Sequence, residues 1–92
     1  MKKIALALAS LLLFSLAALA AEIEMTSVES SLLNKVGYDP EAKVLVIQMN
    51  NSSDRYFYSK VSQAVFDDLL AAPSKGSFYV KKIKGKYPVE RK

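Results

Sequence analysis

Hydrophobic residues occur along the chain as one long apolar run followed by several short patterned segments. The run spans Ile4–Leu19, follows the basic start Met1-Lys2-Lys3 and ends in Ala18-Leu19-Ala20, the small-x-small pattern that a signal peptidase reads. It is short for a helix that spans a bilayer, which needs about 20 apolar residues. The pattern predicts a cleavable signal peptide in residues 1–20 and a single small exported domain in Ala21–Lys92.

Three segments after position 30 have the composition and alternation of β-strands. In the first, Leu32, Val36 and Tyr38 fall on one face; the second is β-branched and apolar, and the third is aromatic. Polar or proline-containing turns separate them. The segments are Ser31–Tyr38, Val44–Met49 and Arg55–Ser59. They predict a three-stranded antiparallel meander, and the polar stretch Ala21–Thr26 before it is predicted to be a loose segment.

A helix is predicted after the third strand. Ser62 is placed as its N-cap, and Val61 and Phe66 flank this cap at the spacing of a hydrophobic staple. The helix should end near Ala72, because Pro73 cannot continue it. Its apolar residues recur at three- and four-residue spacing and are expected to cover one face of the sheet. They are Val65, Phe66, Leu69 and Leu70.

A second, shorter helical segment is predicted from Ser74 to Lys84, with Tyr79 and Ile83 on its apolar side and a glycine at its C-terminal capping position. A strand over 77–84 is the alternative interpretation. The predicted fold class is therefore α+β, a three-stranded antiparallel meander packed against one helix with a second short C-terminal helical segment.

Charge is distributed unevenly along the chain. After removal of the signal peptide, 11 basic and 9 acidic residues remain, a net charge of +2. Seven of the basic residues and only one acidic residue lie in Leu69–Lys92, which makes the C-terminal third positive. The chain has no cysteine, so the exported domain must be stabilised by packing alone or by homodimerisation. The missing cysteine also excludes a lipid anchor after cleavage, so the predicted location is the periplasm or the medium.

Few catalytic groups are available. The sequence contains neither histidine nor cysteine, which removes the commonest general base, the usual nucleophile pairs and nearly all zinc or iron sites. Asp67 and Asp68 are the one adjacent acidic pair, and on a helix their side chains point about 100° apart, as on a solvated face. No catalytic residue, metal or cofactor is therefore expected, and the chain is predicted not to be an enzyme.

Two features remain as candidate sites. The segment Tyr56-Phe57-Tyr58 places two tyrosines on one strand face and Phe57 on the other, and lysines alternate with aromatic residues near the C-terminus. Each has a simpler interpretation, cross-strand packing for the tyrosines and a solubilising surface for the lysines. The predicted interaction surface comprises Tyr56, Tyr58, Lys75, Tyr79, Lys81, Lys82, Lys84 and Lys86. It predicts a binding module for an unknown protein or anionic partner.

The order of these elements resembles the KTSC domain, a family found at the C-terminus of some lysyl-tRNA synthetases and as free-standing small bacterial proteins. The similarity covers about Met25–Tyr87, and it depends on six short motifs in sequence order. These are Ser30-Ser31, Val36-Gly37-Tyr38-Asp39, Leu45-Val46-Ile47, Tyr56-Phe57-Tyr58 with Val61, Leu69-Leu70-Ala71 and Ser74-Lys75-Gly76. The synthetase context implies an alternative function, RNA binding by the basic C-terminal segment and the Tyr-x-Tyr strand. Export from the cytoplasm argues against a nucleic-acid partner.

Overall fold

The structure is a computed structural model that describes residues 23–92, so the predicted signal peptide lies outside the described residues. Along the chain, four strands come first, two helical segments follow, and a fifth strand comes last. The strands are β1 (Met25–Ser27), β2 (Leu33–Asp39), β3 (Val44–Met49), β4 (Arg55–Tyr58) and β5 (Val89–Arg91). The helical segments are α1 (Gln63–Ala71) and α2 (Lys75–Phe78), which continues directly as a π-helical turn (Tyr79–Ile83).

The described strands form one antiparallel sheet in the order β1-β2-β3-β4-β5, so the α+β fold class is confirmed. The three predicted strands are its centre, and β1 and β5 extend it at the two edges. The prediction of a loose segment up to Thr26 was wrong for its last residues, because Thr26 pairs with Val36 in the neighbouring strand. Segments of three residues carry too little alternation to be recognised as strands, and pairing with an existing edge orders them.

A β-bulge in β2 decides which of its residues enter the core. Leu33 pairs with Met49 and Lys35 with Gln48, which leaves Asn34 as the extra residue. The extra residue reverses the alternation, so Leu33 and Val36 both lie fully buried on the helix side of the sheet. Leu32, which was predicted for this face of the strand, lies just before β2 and is half-buried beside the core.

Helix α1 covers the sheet through Leu69, whose side chain is fully buried, and Phe66, whose ring stacks on Tyr38 with centroids 5.2 Å apart. Ser62 is the N-cap residue as predicted, although its side chain makes no capping hydrogen bond. The helix ends at Ala71, as expected before Pro73. The prediction that Leu70 joins the buried stripe was wrong, because Leu70 lies at the outer margin of the stripe and is exposed.

The second segment is helical rather than extended, which decides between the two interpretations of this region. Ser74 caps it, since its Oγ accepts a hydrogen bond from the Ser77 N–H at 3.3 Å. Tyr79 and Ile83 are buried, as their predicted place on the apolar side requires, and their four-residue spacing puts them on the same side of the π-helical turn. Gly85 follows the turn with φ +76°, a left-handed conformation that terminates the helix.

Candidate binding cleft

The tyrosines of β4 face the helices. Tyr58 pairs with Leu45 and Tyr56 with Ile47, both of them buried core residues, while Phe57 pairs with Val46 on the opposite face. The predicted alternation of Tyr56-Phe57-Tyr58 is therefore confirmed. It follows from the two-residue period of a strand.

Tyr58 and Tyr79 are core residues. Each has about 3% of its surface exposed, their hydroxyl groups hydrogen bond to each other, and their rings meet edge to face with centroids 6.0 Å apart. Burial raises the pKa of the Tyr79 phenol, and the hydrogen bond with Tyr58 raises it further. Burial of Tyr79 agrees with its predicted place on the apolar side of the second helical segment, and both rings contribute only a small exposed margin to the predicted interaction surface.

A cleft of about 420 Å³ opens beside this tyrosine pair, between the sheet and the π-helical turn. Its lining is mainly apolar and comes from the end of β3, from β4 and β5, and from the turn. The lining residues are Leu32, Met49, Tyr56, Tyr58, Tyr79, Val80, Lys84, Gly85 and Val89. Val80 and Val89 are 51% and 49% exposed, and Leu70, which lies elsewhere, is the other exposed large hydrophobic residue of the described region. The cleft thus concentrates exposed apolar surface in one place.

The predicted lysines do not form a single patch. Lys84 lines the cleft, and Lys86 follows it on the exposed turn. Lys81 and Lys82 line a separate depression of about 320 Å³ beside Pro73 and Phe78. Lys75 lies apart from both, because its ammonium group donates a hydrogen bond to the carbonyl oxygen of Ala72 at 3.2 Å, at the C-terminal end of α1.

Most residues that carry the sequence resemblance have a structural role. The Ser30 hydroxyl accepts two backbone N–H groups at 3.1 Å, and the Asp39 carboxylate accepts two more in the turn after β2. A Cβ at Gly37 would lie 2.6 Å from a backbone oxygen, and one at Gly76 would lie 3.2 Å from a leucine side chain, so both glycines allow close packing. Tyr56 differs, because its half-buried ring forms part of the cleft.

Sequence reasoning missed the apolar half of the cleft, namely Leu32, Met49, Val80 and Val89. These residues come from four separate parts of the chain, and no local period relates them. The one signal in the sequence was Val89, an apolar residue that follows Pro88 in a polar C-terminal stretch.

Within residues 23–92, no three histidine, cysteine, aspartate or glutamate residues lie close enough together to hold a metal ion. The same residues contain no helix that is long and apolar enough to cross a membrane. The described ion pairs are Arg91–Asp54 at 3.9 Å and Lys92–Glu90 at 3.7 Å, all with exposed side chains. Neither pair involves the lysines of the predicted interaction surface.

Comparison with known proteins matches residues 29–87 to the KTSC domain. A protein of Tsukamurella paurometabola is 44% identical over 54 residues, which are 59% of this chain and 79% of that protein. A lysine–tRNA ligase of Nostoc punctiforme is 38% identical over 63 residues, 68% of this chain but 11% of the ligase. The crystal structure of a KTSC domain protein from Yersinia pestis is similar with a TM-score of 0.72 and 31% identity, covering 76% of this chain and 97% of that one. The family match ends at Tyr87, before β5.

Proposed function

We propose that this chain, which belongs to the KTSC domain family, is an exported, non-catalytic binding module whose ligand site is the cleft between the sheet and the π-helical turn. The observation that carries the proposal is the exposure of Val80 and Val89 at the rim of one apolar cleft. Small protein surfaces seldom gather exposed apolar side chains around a concavity unless a partner covers them. Export is proposed from the N-terminal sequence pattern.

The chemistry of the lining supports binding rather than catalysis. The titratable residues of the cleft are three tyrosines and Lys84, with no carboxylate among them. The Tyr79 phenol is buried and its hydroxyl hydrogen bonds to that of Tyr58, so it supplies no general base to the cleft. An apolar floor with a few polar groups at its edge is the usual composition of a recognition site.

RNA binding is the alternative function, and the match to part of a lysine–tRNA ligase motivates it. Stacking of bases would require accessible aromatic rings. Tyr58 is 3% exposed and could stack only if the core opened, which leaves the half-buried Tyr56 as the one partly accessible ring of the Tyr-x-Tyr strand, so affinity would depend mainly on the lysines. Such binding would fall steeply with salt, because it would depend on phosphate contacts. The geometry therefore favours the cleft.

The test uses the protein purified as its host processes it, together with two charge substitutions. Val80→Glu places a carboxylate at the rim of the cleft, and Leu70→Glu places one on an exposed apolar residue outside it. Both variants should keep the circular dichroism spectrum and melting behaviour of the parent. A partner recovered from periplasmic extract should be lost with Val80→Glu and retained with Leu70→Glu. Equal capture by both variants would contradict the proposal.

A control with single-stranded RNA separates the alternative. Binding of an RNA oligonucleotide that survives Val80→Glu and weakens steeply between low and high salt would favour the nucleic-acid function instead. Under the cleft proposal, RNA affinity at moderate salt should be negligible.

A further inference from the structure

The outer edge of β5 carries backbone groups that point away from the sheet. Lys92 exchanges two backbone hydrogen bonds with Arg55 at 2.8 and 2.9 Å, and the Pro88 carbonyl accepts the Ser59 N–H at 2.9 Å. In an antiparallel pair, successive residues direct their N–H and C=O groups to opposite sides. Val89 and Arg91 therefore direct theirs outward. Since β5 is the last strand of the sheet, no described strand pairs with this edge.

The same edge adjoins the cleft. Val89 pairs with Tyr58 and Arg91 pairs with Tyr56, so the side chains of both residues lie on the helix side of the sheet. Val89 lines the cleft directly and is 49% exposed. A strand added outside β5 would place every second side chain on this side, and the residue opposite Val89 would extend over the cleft.

Positive charge lies on both sides of Val89. Lys84 lines the cleft and Lys86 is exposed, and neither belongs to the ion pairs of the described residues. On the other side, the Arg91 side chain is 66% exposed and its contact with Asp54 spans 3.9 Å, so it keeps most of its charge available to a partner. These charges favour acidic residues on either side of an apolar one.

We propose that β5 accepts an extended acidic peptide segment as a sixth strand, with one apolar side chain over the cleft beside Val89 and acidic side chains facing Arg91 and the Lys84–Lys86 turn. The inference rests on the proposed function, because it names the ligand class of the same cleft. Strand addition provides affinity through backbone hydrogen bonds and specificity through alternate side chains. The predicted pattern is acidic-x-apolar-x-acidic.

A second copy of the chain fits this edge less well, because its own β5 carries Arg91, and not an acidic residue, two positions from Val89 on the same face. Antiparallel pairing of two β5 strands that brings Val89 opposite Arg91 would place the Glu90 residues of the two copies opposite each other. Like charges directly opposite each other destabilise a strand pair. An acidic peptide has the complementary charge.

The probe is a capped synthetic peptide, Thr-Glu-Thr-Leu-Thr-Glu-Thr, added at up to millimolar concentration to the ¹⁵N-labelled protein. The amide resonances of Val89 and Arg91 should shift, and exchange of their amide protons with solvent should slow at least ten-fold, because the added strand accepts these N–H groups. A peptide with lysine in place of glutamate should not bind. A peptide with N-methyl groups on the amides that face β5 should bind at least ten-fold more weakly.

Two substitutions at one position separate charge from strand pairing. Arg91→Pro removes both the charge and an outward N–H, and it leaves the hydrogen bonds to β4 in place, a change that edge strands tolerate. Arg91→Gln removes the charge and keeps the N–H. Arg91→Gln should weaken binding a few-fold in low salt and little in high salt. Arg91→Pro should weaken it at least ten-fold at both.

The outcomes that overturn the inference are distinct from those that overturn the proposed function. If the amides of Val80 and Lys84 respond while those of Val89 and Arg91 do not, or if Arg91→Pro binds like Arg91→Gln, strand addition is wrong and the cleft stands. If neither group responds at millimolar peptide, or if shifts at β5 depend on protein concentration alone, an acidic peptide is not the occupant. A different result contradicts the proposed function itself, namely equal partner capture by Val80→Glu and Leu70→Glu.

Discussion

Tyr58 and Tyr79 lie 21 residues apart in the chain, and their hydroxyl groups hydrogen bond to each other in the core. The planes of the two rings are inclined at 74°, so β4 contacts the π-helical turn through an edge-to-face aromatic contact as well as through this hydrogen bond. This bond allows two phenols to be buried in an apolar core, and the described residues contain no buried side-chain polar atom without a partner.

Substitution of one member of this pair should be more harmful than its single hydrogen bond suggests. Tyr79→Phe leaves the Tyr58 hydroxyl buried and unsatisfied, so we expect it to lower the free energy of unfolding by about 1–3 kcal/mol. The double variant Tyr58→Phe/Tyr79→Phe should cost less than the sum of the two single variants. Urea denaturation of all three measures this difference. Tyr56→Phe is the control, because Tyr56 lies in the same strand and is only half-buried, and it should lower the free energy of unfolding by less. If the losses of the two single variants add up to the loss of the double variant, the two hydroxyl groups are not coupled.

Alkaline pH should destabilise the domain through Tyr79. Its folded pKa is raised above the ordinary value of 10.0, so the protonated phenol is favoured in the folded state. The stabilisation is fully present below pH 10 and falls as the pH rises above it, because the unfolded chain releases its proton first. Urea midpoints at pH 8, 10 and 11 should decline for the parent and decline less for Tyr79→Phe. A parallel decline in both proteins would assign the effect to other groups.

Leu69 should contribute far more to stability than its neighbour Leu70. Leu69 is fully buried between α1 and the sheet, and Leu69→Ala should lower the free energy of unfolding by about 2–5 kcal/mol. Leu70 is 38% exposed, and Leu70→Ala should change it by about 0.5 kcal/mol or less. Thermal melts of the two variants provide the comparison. Similar losses in both would mean that the register of α1 is wrong.

Gly37 should be intolerant of a side chain because of β1. A Cβ at this position would lie 2.6 Å from the Glu24 carbonyl oxygen and 2.8 Å from the Met25 sulfur. Gly37→Ala should therefore displace β1 and cost about 1–3 kcal/mol. Gly76→Ala is the matched comparison: its contact is looser, at 3.2 Å from Leu32, and alanine favours a helix, so the loss should be smaller. Hydrogen exchange of the Thr26 amide should accelerate in Gly37→Ala and remain unchanged in Gly76→Ala.

Export can be tested on the protein recovered from its native host. Mass spectrometry should identify Ala21 as the first residue, because Ala18-Leu19-Ala20 supplies the small residues that a signal peptidase requires. Ala20→Tyr should slow cleavage and increase the amount of full-length precursor. Recovery of a cytosolic protein with its original N-terminus would rule out the export signal.

The sequence by itself determined the elements whose information is local. The β-branched run Val44–Met49 and the three- and four-residue spacing through Leu69 needed no distant contact to be recognised, and Pro73 ended α1 where it was predicted to end. The same local rules placed Phe57 opposite the two tyrosines of β4, because alternation in a strand depends only on its backbone.

Only the tertiary structure decided the features that depend on partners far away in the chain. The three-residue strands β1 and β5 exist because the edges of β2 and β4 order them, and the bulge at Asn34 exists because two strands of unequal residue count are paired. The hydrogen bond between Tyr58 and Tyr79 joins two residues that no local pattern relates, and the cleft brings together Leu32, Val80 and Val89 from distant parts of the chain. A local pattern reports which side of an element is apolar, whereas the packing of all the elements determines which apolar residues remain exposed.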